Sequence, residues 1–168
     1  MPPATFWLPS PIDKPALVHS IRTAVAAVVS LALARVFRLP EPYWAAISTL
    51  VVMQSTLGAA LTVSEQRFAG TALGAALGAL AATFFGSSTI AFAVAVFLAG
   101  LLCVALRMDR SAYRFASITL AIVMLVTHDR AAWVVALHRF VEVSVGIAIG
   151  LALTALWPEI DGQTVPNR

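Results

Sequence analysis

The chain has 168 residues, 60% of them hydrophobic and only 11% charged, with a formal net charge of +3. Soluble domains carry roughly 25% charged residues, so a water-facing globular domain is excluded. Ten of the eleven basic residues are arginines, placed singly at or near helix ends, which argues against nucleic acid and for membrane topology or anion handling.

Residues 1–15 read as an N-terminal interfacial segment, with Phe6 and Trp7 set among prolines at the lipid surface. No positive n-region precedes the first apolar stretch, so the first helix is expected to stay as a span and not leave as a signal peptide. That span covers about residues 16–37 and carries His19 and Arg22 three positions apart. Pro40-Glu41-Pro42 breaks the chain, and a second span is expected over about residues 43–61. The third starts near Glu65 and ends at Phe85. From Phe68 to Leu106 there is no Asp, Glu, Lys, Arg or His. This run is too long for one crossing of about 20 residues, and it divides at Gly86-Ser87-Ser88. The fourth span covers about residues 89–106, and Arg107, Asp109 and Arg110 make a polar link. The fifth covers about residues 112–127, and His128-Asp129-Arg130 is a tight turn. The sixth lies within residues 131–157, where Pro158 stops it, and residues 159–168 form a tail. Cys103, the single cysteine, cannot form an intrachain disulfide and reads as packing.

One pattern is written twice. Arg67-Phe68 is followed by Gly74 and Gly78, and Arg139-Phe140 by Gly146 and Gly150, at identical spacings. Upstream, Tyr43, Ala46, Thr49 and Leu50 match Tyr113, Ala116, Thr119 and Leu120 at a constant offset of 70. The expected fold is therefore an all-α integral membrane protein of six transmembrane helices. Its two three-helix repeats cover residues 16–85 and 86–158. An odd number of crossings per half inverts the second half, with a pseudo-two-fold axis in the membrane plane. Arg67 and Arg139 then approach a solute path from opposite faces.

Counting basic residues gives an orientation. With the N-terminus inside, Lys14, Arg22, Arg67, Arg107, Arg110, Arg114 and Arg168 fall on the cytoplasmic side, and Arg35, Arg38, Arg130 and Arg139 on the other. Both termini are thus expected in the cytoplasm.

Gly70, Gly74 and Gly78, like Gly146 and Gly150, are small residues four apart, a spacing that lets membrane helices touch. They read as helix-packing positions, or as a thin wall along the path. Arg67 and Arg139 are either helix-end arginines that snorkel to the interface or an organic-anion site, because guanidinium is a planar fork that fits a carboxylate. Arg22 and Arg114 are weaker candidates for the same role. Glu142 follows Arg139 by three and shares its helix face. It is either a local ion-pair partner or, with His138, the carrier of a coupled proton. Thr49, Thr119 and Gln54 offer uncharged polar groups to a solute or to their own backbone. Tyr43 and Trp44 fit an aromatic belt or a stacking surface for a ring-bearing solute. No phosphate-cradling loop, His-Glu-x-x-His pattern or nucleophile–base pair is present, so no cofactor, no metal and no enzymatic activity are expected.

The stretch Pro42-Tyr43-Trp44-Ala45-Ala46-Ile47-Ser48-Thr49-Leu50-Val51-Val52, followed by Arg67-Phe68-Ala69-Gly70-Thr71 and Gly74, resembles the membrane domain of the fusaric acid resistance family. That family includes aromatic acid exporters and is related to the aluminium-activated malate channels of plants. The resemblance covers about residues 19–158. It implies a six-helix bundle with a path for organic anions, basic residues along that path, and paired subunits, which favours a homodimer. Arg67 falls on the family's arginine, and Arg139 is assigned through the internal repeat. The larger exporters carry a second membrane half and soluble regions that have no counterpart here. The expected function is export of small, aromatic carboxylates, with proton coupling. A passive anion channel and a non-transporting membrane subunit are the alternatives.

Overall fold

A computed structural model describes residues 14–126 and 130–157. The Phe6-Trp7 segment, the His128-Asp129 turn, the Pro158 stop and the tail beyond it lie outside the described residues. Six helices follow in order: α1 Lys14–Val36, α2 Tyr43–Val52, α3 Leu57–Phe85, α4 Thr89–Ala105, α5 Arg110–Leu125 and α6 Ala132–Leu156. Among the described residues there is no strand.

The helices differ in length more than the sequence suggests. By length and composition α1, α3 and α6 suffice to cross a membrane. The second helix is not the 43–61 span expected. It stops at Val52 after ten residues, about 15 Å at the α-helical rise, or about half the hydrocarbon core. The third starts at Leu57, well before Glu65. The break is local chemistry. Met53 leaves the helical region at φ −60°, ψ 111°, and the Thr56 hydroxyl accepts a hydrogen bond from the Ala59 amide at 3.3 Å, capping the new helix. Apolar residues on both sides hide this break from a hydropathy reading. At 16 residues, α5 is the next shortest.

Two helices end in the same way. The Arg38 amide donates to the Arg35 carbonyl at 2.9 Å and the Leu39 amide to Ala34 at 3.0 Å. At the end of α4, the Arg107 amide donates to Val104 at 3.1 Å and Met108 to Cys103 at 2.8 Å. Each is a Schellman closure, with arginine in the left-handed position normally held by glycine, at φ 53° and 54°. A side chain there costs on the order of 1 kcal/mol. The positive charge facing the helix C-terminus offsets part of that.

The core is built where α3 packs on α5 and α2 packs on α6. A Cβ on Gly70 or Gly74 of α3 would run into the carbonyls of Ala112 and Ala116 on α5, and one on Gly78 would sit 3.0 Å from the Val123 Cβ. On α6, Gly146 faces the Ala45 carbonyl and Ser48 of α2, and Gly150 lies against Val52. The Thr49 hydroxyl donates across this second seam to the Gly146 carbonyl at 2.9 Å. These contacts equate Ala45 with Ala116, Thr49 with Leu120 and Val52 with Val123. The offset-70 match of Thr49 with Thr119 is therefore one position out of register. Alanine-rich helices align well in several neighbouring registers, whereas backbone contact permits one. Large apolar side chains such as Val28, Ile90, Phe97 and Val104 point outward, as a lipid-facing surface requires.

Candidate functional site

Two arginines stand inside this core. Arg67, on α3, is 8% exposed and Arg139, on α6, is 3% exposed. Each stacks on a ring from the other half. The Arg67 guanidinium carbon is 4.9 Å from the Phe115 ring centre, and that of Arg139 is 3.1 Å from the Trp44 ring centre. Away from water such a contact stabilises by about 2 kcal/mol. Trp44 and Phe115 are 71 positions apart, the same spacing as the glycine contacts. The neighbouring Phe68 and Phe140 rings touch each other at 4.9 Å. The two arginines thus meet near the crossing of α3 and α6. Both reach α2, where Arg67 donates to the Ser48 hydroxyl at 3.1 Å, one turn beyond Trp44.

Their electrostatic company differs. The Arg139 Nη1 lies 3.7 Å from Glu41 and 4.0 Å from Glu142, too far for a hydrogen bond, and it has none among the described residues. Glu142 is 1% exposed and accepts the Glu41 backbone amide at 2.8 Å. The Glu41 carboxylate accepts the Trp44 indole N–H at 2.8 Å. At the positions equivalent to these acids the other half has Ala112 and Gly70. Among the described residues, no carboxylate lies in ion-pair range of Arg67, and its buried Nε has no hydrogen-bond partner.

A cavity of about 210 Å³ opens beside Arg139. Glu41, Arg130, His138 and Glu142 supply its polar lining, and Ile122 and Val135 an apolar wall. The structure therefore brings together Arg67, Arg139, Trp44, Glu142 and His138. Tyr43 is 48% exposed, with its ring 5.4 Å from that of Trp44. Thr119 is buried on α5, on the helix that faces the α3 glycines.

Three candidates lie elsewhere. Arg22 is fully buried, but at the far end of α6. It donates to the backbone carbonyl of Gln54, just past α2, and at 2.8 Å to that of Trp157, just past α6. It closes two helix ends whose carbonyls have no partner within their own helices. The Gln54 side-chain amide turns back to the Val51 carbonyl at 3.3 Å. Arg114 is exposed. Sequence reading missed Glu41 and Phe115 as members of the centre. Glu41 looked like part of a proline break, and its spacing of three before Trp44 was the available signal. Phe115 becomes visible only once the repeat is set at an offset of 71.

A bundle of apolar helices around a largely buried cluster of charged and aromatic side chains is a multi-pass membrane protein with an internal polar site. The chain belongs to the fusaric acid resistance protein-like family, whose model matches residues 25–153. It is 27% identical over 145 residues to the inner membrane protein YeeA of Escherichia coli (strain K12). The match covers 85% of this chain and 41% of that protein, so the chain spans less than half the length of this relative. No solved structure matches the chain.

Proposed function

We propose that this protein carries small organic anions, aromatic carboxylates above all, out across the bacterial inner membrane. The observation that carries the reading is the pair of buried guanidiniums stacked on Phe115 and Trp44, with no carboxylate beside Arg67 among the described residues. A charge left inside a membrane protein without a counter-ion is costly to hold, and an anionic solute supplies that counter-ion in the form a guanidinium binds best. Arg67 is the primary anion site, and Arg139 with Trp44 is the second, one turn back along α2. Glu142, which lines one cavity with Arg139 and His138, is the proton-coupling group together with His138.

The matched ring contacts, glycine seams and Schellman ends support two inverted halves, residues 16–85 and 86–158. The short helices α2 and α5 stand at corresponding places in those halves, where transporters of this build hold their solutes. We assign the paired subunits that the family resemblance implies to two copies of this chain. Both termini face the cytoplasm on the count of basic residues.

Efflux of benzoate and other carboxylates from liposomes, with and without a pH gradient at zero membrane potential, tests the reading. We expect saturable flux that responds to the gradient. Arg67→Gln should lower benzoate binding at least about tenfold, the loss of one charge-assisted hydrogen-bonding group, in protein that still folds. Flux that follows voltage and concentration alone would make the protein a channel, and wild-type binding by Arg67→Gln would remove the anion site.

A further inference from the structure

We propose that Glu41 is a built-in competitor for the anion site. Its carboxylate holds the place beside Trp44 and Arg139 that the carboxylate of an aromatic acid bound at this second anion site takes. The inference rests on the anion-carrying function proposed above.

The cavity beside Arg139 has the dimensions for one ring. Its volume is about 210 Å³. A dry cavity of about 150 Å³ holds a benzene molecule, whereas drug-sized ligands need roughly 300–1,000 Å³. Ile122 and Val135 give the ring an apolar wall. Arg139 Nη1 gives its carboxylate a buried donor that lacks a hydrogen bond among the described residues.

Glu41 and Glu142 already flank that donor, at 3.7 Å and 4.0 Å. A third carboxylate around one guanidinium is repelled by both. One acid must withdraw, and the two are not equally able to do so. Glu142 is 1% exposed and projects from the middle of α6. Glu41 lies on the connection between α1 and α2, its side chain 30% exposed. When Glu41 turns outward it vacates the indole N–H of Trp44 and the near side of Arg139. Of these, Arg139 lines the cavity and is the group that a carboxylate on a ring seated there would engage. Glu41 thus sets a threshold: a weak anion does not displace it, and the site stays internally neutralised when empty.

The test is calorimetric titration of benzoate into the purified full chain in lipid nanodiscs. We compare wild type, Glu41→Gln, Glu41→Ala, Glu41→Asp, Arg139→Gln and the Glu41→Gln/Arg139→Gln double variant. Removing the competing charge should tighten benzoate about tenfold in Glu41→Gln or Glu41→Ala. Glu41→Asp, which keeps the charge, should stay near wild type. The gain should vanish in the double variant relative to Arg139→Gln alone. If wild type binds benzoate and neither neutral variant binds it more tightly, Glu41 is no competitor while the anion site stands. If wild type and both neutral variants bind none, the anion site falls together with its competitor.

Discussion

Arg67 and Arg139 share a residue type, a helix position and a stacked ring, yet one sits between two carboxylates and the other beside a serine hydroxyl. Their common position was legible in the sequence, because Arg-Phe with two following glycines occurs twice. Part of their difference was legible too, since Glu142 follows Arg139 by three and no acid stands at the matching place after Arg67; the part played by Glu41 was not, because it reaches Arg139 through the fold and not through spacing. Arg22 shows the opposite case. As an arginine inside an apolar helix it resembles a solute ligand, but the carbonyls of Gln54 and Trp157 occupy it. Arg22→Met keeps much of the volume and leaves those two carbonyls without this donor. Each buried polar group left unsatisfied costs about 1–3 kcal/mol. Thermal unfolding in detergent should show that loss as a clear drop in Tm, with benzoate affinity of the folded protein unchanged.

At the level of helices, the glycine strips were readable as packing motifs, and the structure shows what they pack against. Alanine at Gly74 or Gly146 drives a methyl group into the carbonyl of Ala116 or Ala45. Overpacking of this kind destabilises by about 1–3 kcal/mol, so both variants should melt earlier than wild type. Gly58, whose added Cβ would meet nothing, is the control and should change Tm little. The Schellman ends predict the reverse sign. Arg107→Gly relieves a left-handed arginine and should raise stability by up to about 1 kcal/mol, whereas Arg107→Val, branched at Cβ, should lower it. Unfolding curves for the two variants on either side of wild type would check this. The short α2 was not legible, because a cap made by one threonine is invisible against apolar sequence on both sides.

For the molecule as a whole, the number of helices, the all-α class and the family could be read from the chain, while the partnership of the halves could not. Hydropathy locates helices along a line and carries no information on which of them meet. The orientation proposed from basic residues predicts that a fluorescent reporter fused to the C-terminus emits, and that a periplasm-active phosphatase fused there stays silent. The opposite pattern would invert the protein and move Arg107, Arg110 and Arg114 to the outer face.

The exchange of partners between halves also bears on how the protein is made. When α3 leaves the ribosome, the helix that fits its glycine strip has not yet been synthesised, since α5 follows only after α4. Until then Gly70, Gly74 and Gly78 face lipid or another polypeptide with a strip of bare backbone and the buried charge of Arg67 beside it. The fold of the first half is therefore incomplete by itself, and its glycine strip finds its partner within the chain only once α5 has been made.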